Sequence, residues 1–310
     1  MKDYQDLRIV FMGTPEFAVA SLAAIVKAGC NIVAVVTAPD KPAGRGLKIV
    51  QSAVKKYAVE NNLHVLQPAK LKDPAFYDEL KALSPDVQIV VAFRMLPEII
   101  WNLPPMGTIN LHGSLLPHYR GAAPINWAII NGEKKTGVTT FKLKHEIDTG
   151  DILLQDSFNI KDDDSAGDVH DKMKGVGAAL LVRTIKELAA GTLEEFPQEA
   201  TEVKHAPKIH TDTCRINWSQ PVEVIHNFVR GLSPYPGAYM VLNEKMFKIY
   251  KASKEVVFPS HTEGDYVTDG KTFLKFACAN GYLHLLEVQL EGKKKMEITE
   301  FLRGYRIGGN

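Results

Sequence analysis

Three cysteines in 310 residues, Cys30, Cys214 and Cys278, are too few and too scattered for a disulfide framework or a metal-ligand cluster. Reduced, mostly buried thiols in a cytoplasmic protein are expected instead. An excess of one charge is also lacking: 37 Lys and Arg stand against 36 Asp and Glu. So balanced a chain is no general polyanion binder, and any nucleic-acid surface must come from local clusters. No apolar run approaches the ~18–20 residues that span a bilayer. The opening MKDYQDLRIVFMG has an early acidic residue and no apolar signal core, so no secretory or membrane segment is expected. The three-glycine spacing of a dinucleotide fingerprint is missing as well. MGTPEFA follows a strand pattern with Gly13 alone, which argues against NAD. There is no internal repeat and no low-complexity tract.

What is present is the mixture of a globular protein, 45% hydrophobic and 24% charged, with length for two domains. LRIVFMG, NIVAVVT and DVQIVVAF are continuous apolar runs, the mark of strands buried on both faces. Between them PEFAVASLAAIVKAG, SAVKKYAVENN and DPAFYDELKAL carry helical spacing, whereas APDKPAGRGLKIVQ reads as loop. A long helix follows in SAGDVHDKMKGVGAALLVRTIKELAAG, with Ser165 as N-cap and a core stripe of Val169, Met173, Val176, Leu180 and Ile185. Alternating strands and helices predict an α/β, Rossmann-like, mostly parallel sheet with helices on both faces over residues 1–190. Residues 191–207 read as a linker. Over 208–310 one helix, PVEVIHNFVRGL, and many short β runs predict a smaller OB-like β-barrel domain.

The stretch INLHGSLLPHYRGAAPINW is out of place in a core strand. In an open parallel sheet, ligands bind beyond the carboxyl ends of the strands. Asn110 and His112 lie two apart at such an end and share one face of the strand. An amide donor and an imidazole aimed at one point suit acyl transfer. The amide can hold an oxygen that gains negative charge, and the imidazole can move a proton. A lone histidine at a strand exit is most often structural, however. HEIDTGDIL places Asp148 in a turn; the ordinary use of Asp before Gly is to close the turn, but a carboxylate beside His112 would orient the ring and favour its charged form. Two readings also stand for DKPAGRGLK, a solvated loop or a mobile arm that grips nucleic acid. The same holds for EGKKKM, with Lys293, Lys294 and Lys295, and the nearby Lys245, Lys248 and Lys251: a solubilising turn or a phosphate track.

Asn110, His112, Ser114, Leu115, Leu116, Pro117, Gly121, Asp148 and Gly150 together match an Asn-x-His-x-Ser-Leu-Leu-Pro pattern, a following Gly and a downstream Asp-x-Gly. The chain thereby resembles the formyltransferases that use 10-formyltetrahydrofolate. FMGTPEFAV, APDKPAGRG, RGAAPINWAIINGE, TGVTTFKL and LSPYPGAY extend the likeness from about Arg8 past Met296. They point to the branch whose acceptor is initiator methionyl-tRNA. The segment VVAFRMLPEIIW departs from the family's usual Tyr-Gly, with Phe93 and Arg94 in its place.

The resemblance implies a translation-initiation enzyme with Asn110, His112 and Asp148 as catalytic residues and Ser114, Leu115, Leu116 and Pro117 as folate contacts. It implies Lys41, Arg45 and Lys48 as tRNA contacts and a cis peptide before Pro117. It also implies 10-formyltetrahydrofolate as co-substrate, no metal, initiator methionyl-tRNA as partner, no membrane association and a cytoplasmic monomer. The alternatives are a formyltransferase of an amino-sugar nucleotide, which would lack the basic arm, and one of glycinamide ribonucleotide, which would lack the region after about Leu193. From another class comes a non-catalytic RNA-binding protein on the same fold.

Overall fold

The computed structural model describes residues 2–43, 48–199 and 203–307. The chain begins with β1 (Ile9–Gly13), α1 (Glu16–Lys27) and β2 (Ile32–Val36), then a hairpin of β3 (Lys41–Ala43) and β4 (Lys48–Val50). Next come α2 (Ala53–Glu60), β5 (Val65–Leu66), α3 (Pro74–Ala82), β6 (Val87–Val91) and the single turn α4 (Glu98–Trp101). Strands β7 (Thr108–His112) and β8 (Arg120–Gly121), helix α5 (Pro124–Ile130), β9 (Lys135–Lys142) and β10 (Ile152–Asn159) lead into the long α6 (Ala166–Ala190).

Seven of these strands form one sheet, ordered β10-β9-β7-β6-β1-β2-β5. Its β1, β2, β5, β6 and β7 pair in parallel, and β9 joins β7 antiparallel. Every residue of β1 and β6 is buried, which explains their unbroken apolar sequence. On one face Val10, Met12, Val36 and Val90 pack with Phe76 and Leu80 of α3 and Ile100 of α4. Three helices, α2, α3 and α6, start on a side-chain cap. Ser52 Oγ accepts from Lys55 N–H at 3.0 Å, and Asp73 Oδ1 accepts from Ala75 N–H with Pro74 in the first turn. Ser165 and Asp168 form a reciprocal box at the head of α6. The stretch expected as loop, APDKPAGRGLKIVQ, differs: KPA and KIV pair as an antiparallel ribbon. Chain order turns back at β1, which has β2 on one side and β6 on the other, so the crevice beyond β1, β6 and β7 is the topological switch point of the sheet.

The C-terminal region carries the short β11 (His205–Ala206), α7 (Val222–Gly231), β12 (Ala238–Leu242), β13 (Lys245–Val256), β14 (Tyr266–Thr268), β15 (Leu274–Cys278), β16 (Gly281–Leu290), β17 (Met296–Glu297) and α8 (Ile298–Gly304). Six strands make one sheet in the order β12-β13-β16-β15-β14, with β17 on β16, and every pair is antiparallel. Its core is built from Ile225 and Val229 of α7, Phe247, Ile249, Phe276, Leu283 and Phe301, with Trp218 stacked on Phe276 at 4.8 Å. Cys30, Cys214 and Cys278 are free and buried, and burial pushes the Cys278 thiol up to about 11.

Contacts divide the chain into two compact units, and not by a linear cut: Ala122–Thr136 and Asn159–Val169 group with the residues from Ala206 onward. The physical reason is visible at α5. A Cβ on Gly231 would lie 2.6 Å from Ile130 Cγ1, so the bare glycine lets α5 and α7 meet, and Asn126 Nδ2 donates to Gly231 O at 2.7 Å. Arg230 holds the other segment, donating to Asp164 O at 2.9 Å.

Candidate active site at the exit of β7

Strand β7 delivers Asn110 and His112 to the switch-point crevice. Asn110 is half-buried, and among the described residues its carboxamide has no hydrogen-bond partner. His112 is only 7% exposed. Its Nε2 lies 2.9 Å from the carbonyl oxygen of Tyr119. A carbonyl only accepts, so Nε2 carries a hydrogen there, and Nδ1 is the bare nitrogen of the neutral ring. Nδ1 faces Asp148 Oδ2 at 3.8 Å. That span is too long for a direct hydrogen bond but close enough for a charge pair or a bridging water. The edge of the ring system is closed by Phe141, nearly perpendicular at 6.5 Å.

Asp148 sits in the left-handed region, φ 55°, which Asp tolerates better than most side chains. Its Oδ2 accepts from Gly121 N–H at 2.9 Å. Two residues on, a Cβ at Gly150 would fall 1.6 Å from Lys142 O, so this turn can press against the end of β9 only as glycine. Asp151 is occupied differently, paired with Lys144 at 2.7 Å.

The segment after β7 is staked from below. Thr139 Oγ1 donates to Ser114 O at 2.7 Å and accepts from Leu116 N–H at 3.1 Å. Gln155 Nε2 donates to both Leu116 O and Thr139 Oγ1 at 2.9 Å. The Leu116–Pro117 peptide is cis, as the family resemblance implied. Ser114 and Leu116 are buried, and Ser114 Oγ donates to His118 O at 2.7 Å; Leu115 and Pro117 keep part of their surface. Neither Thr139, Gln155 nor Tyr119 was readable as a site residue. Thr139 lies in a wholly buried run where a β-branched residue needs no function, and Tyr119 contributes a backbone oxygen.

The basic arm is elsewhere in the same unit. Lys41 is exposed on β3, Lys48 opens β4 opposite Ala43, and Arg45 lies outside the described residues. The base of the hairpin is pinned. Asp40 accepts from Lys55 at 2.6 Å and from Gln67 at 2.9 Å, bonds that hold its carboxyl below the usual range. Thr37 and Ser52 hydroxyls meet at 2.7 Å. Beyond that base Ile49 is 72% exposed. Arg94, the departure in the sequence, donates to Pro68 O and Ala69 O and lies over the Phe93 ring at 5.3 Å. In the C-terminal unit, Lys248 donates to Pro236 O, Lys294 pairs with Glu300 and Lys295 with Glu287, so three of the expected track lysines are engaged within the chain. Among the described residues no group of three His, Cys, Asp or Glu could hold a metal ion.

Residues 7–185 match the family described as Formyl transferase, and residues 208–306 match Formyl transferase, C-terminal domain. The chain belongs to the formyl transferase family. Among its relatives, the methionyl-tRNA formyltransferase of Parabacteroides distasonis is 53% identical over 97% of both chains. That of Bacteroides fragilis is 50% identical over 98% of this chain and 96% of its own. Among solved structures, the N-formyltransferase from Helicobacter canadensis, in complex with folinic acid and dTDP-3-aminofucose, superposes with a TM-score of 0.69 at 22% identity, covering 94% of this chain and all of that one. At that identity the likeness is one of fold. This formyl transferase thus has the two-part architecture of the family, with a mostly parallel α/β sheet and a C-terminal antiparallel β domain.

Proposed function

We propose that this formyl transferase moves the formyl group of 10-formyltetrahydrofolate to the α-amino group of initiator methionyl-tRNA. The observation that carries this reading is near-full-length identity of 50% and above to methionyl-tRNA formyltransferases, joined to an Asn110, His112 and Asp148 cluster at the sheet's switch point. The residues present fit the co-substrate. A half-buried carboxamide stands without a partner, and Leu115 and Pro117 offer an apolar wall to a flat ring. Ser114 and Leu116, buried in the same loop, complete the folate-binding set and hold its shape.

The co-substrate supplies a formyl group already activated on an arylamine nitrogen, so neither ATP nor a metal is called for. Asn110 donates a hydrogen bond to the oxygen that gains negative charge as the amine adds to the formyl carbon. His112 Nδ1, bare while Nε2–H is held by Tyr119 O, receives the proton the amine sheds, and Asp148 stabilises the resulting imidazolium. The proton then passes to the departing nitrogen. Lys41, Arg45 and Lys48 engage the end of the acceptor stem, with charge for phosphate and, at Arg45, a plane for an unpaired base. Lys293 and its neighbours offer the C-terminal unit charge of its own for phosphate. The enzyme works as a cytoplasmic monomer; among the described residues no helix is long and apolar enough to cross a membrane.

The test is formyl transfer by the purified chain to initiator methionyl-tRNA, beside elongator methionyl-tRNA. Rapid formylation of the initiator, abolished by His112→Ala, is the expected result. A chain that formylates neither tRNA overturns the reading.

A further inference from the structure

Residues 191–207 have no sustained period and read as a tether between domains. The structure gives part of that segment other work. Phe196 exchanges both backbone hydrogen bonds with Ile152, at 2.8 and 2.9 Å, adding a one-residue bridge beside β10. Gln198 then reaches the catalytic turn. Its Nε2 donates to the carbonyls of Asp148 and Gly150, each at 2.8 Å, and its Oε1 accepts from Arg120 Nε and Nη2 at 3.0 and 2.5 Å. Further along, Lys204 O accepts from Tyr119 N–H at 2.5 Å.

Tyr119 and Asp148 are the two residues that flank the His112 ring, one at each nitrogen. Both lie in the left-handed region: φ is 60° at Tyr119, where a bulky side chain is strained unless its surroundings hold it, and 55° at Asp148, which Asp tolerates but does not by itself fix. The contacts that do so come from Lys204 at Tyr119 and from Gln198 at Asp148. We infer that Gln198 is a positioning residue of the active site, one that fixes Asp148, and through it His112, for formyl transfer. One carboxamide satisfies two carbonyls of the Asp148 turn and the Arg120 guanidinium that precedes Gly121, the donor to the Asp148 carboxylate. A carboxylate of the same size could still accept from Arg120 but could not donate to either carbonyl.

The inference rests on the proposed transfer to initiator methionyl-tRNA, and the experiment separates the two. Steady-state kinetics are measured on full-length wild type, Gln198→Ala, Gln198→Glu, Asp148→Asn and the double variant Asp148→Asn/Gln198→Ala. Folinic acid binding stoichiometry counts the folded sites. A misplacement of about 1 Å at a reacting group costs up to ~10²-fold. Gln198→Ala and Gln198→Glu are therefore expected to lose about 10-fold or more in kcat per folinic-acid site, with KM for tRNA and folate within about twofold. The double variant is expected to be no slower than Asp148→Asn, because Gln198 acts through Asp148. If Gln198→Ala does not fold, Gln198→Glu and its own double variant carry the comparison. Wild-type kcat in either single variant, a change confined to KM, or losses that multiply in the double variant overturn the inference. An inactive wild type instead overturns the assigned reaction.

Discussion

At the scale of single residues, the site works by leaving one polar group unpaired and over-constraining another. Among the described residues the half-buried Asn110 carboxamide has no hydrogen-bond partner, a cost to folding that an oxyanion would offset. Asn110→Ala is therefore expected to cost at least ~10²-fold in turnover, the scale of a lost oxyanion donor, with no loss of thermal stability. Asp148 is the opposite case. Asparagine tolerates its positive φ and can still accept from Gly121 N–H, so Asp148→Asn keeps the turn while removing the charge that faces Nδ1. A large fall in kcat at an unchanged melting temperature is expected; a turnover near wild type would remove Asp148 from the proton path. Asn110, His112 and Asp148, to which the proposed mechanism gives the side-chain chemistry, stood out because polar groups at a strand exit and before a Thr-Gly turn break the local pattern. Thr139 and Gln198 were not. The first hides among buried β-branched neighbours, and the second sits in a segment with no period, so only the fold reveals what they touch.

At the scale of elements, strands and helices with strong periods were legible, from β1 to the stripe of α6. The β3–β4 ribbon was not, because Pro and Gly content signals a loop and three-residue strands are too short to show alternation. Its base is rigidly tied through Asp40, Lys55 and Gln67. Arg45→Ala is expected to raise KM for methionyl-tRNA while folate affinity stays constant, and Arg45→Lys to restore it in part, since Lys brings charge without the planar surface. Normal kinetics at limiting tRNA would return this hairpin to the solvated class. Helix α7 carries a different liability. Burial, then the charge of Arg230, holds His226 below its ordinary value of 6.5, with Nε2 donating to Ala252 O. The unfolded chain takes up a proton that the folded one refuses, so stability rises with pH through the window just below 6.5 and is lost as pH falls through it. The melting temperature is expected to drop on acidification from pH 7.5 to 5.5, and to drop less in His226→Gln; equal slopes would show that His226 is not the group responsible.

At the scale of the whole molecule, sequence order and compact units do not coincide. The long polar interruption after Leu193 suggests a simple cut, but α5 packs with α7, and Gln198 and Lys204 bond the residues on either side of the His112 ring. A fragment ending at Leu193 strips Gly231 from α5 and removes both braces. It is expected to melt below the full chain and to have lost turnover beyond any loss of tRNA affinity, whereas an equally stable fragment with wild-type kcat at saturating tRNA would show the two parts to be independent. Identity of 50% and above to methionyl-tRNA formyltransferases favours a tRNA acceptor over a sugar nucleotide. One competition experiment addresses that choice. The full-length enzyme, limiting 10-formyltetrahydrofolate, initiator methionyl-tRNA and a dTDP-amino sugar are mixed, and the formylated products are separated and counted. Formyl-methionyl-tRNA should be the dominant product even at a large molar excess of the sugar nucleotide, and preferential formylation of the sugar nucleotide would contradict the assigned acceptor.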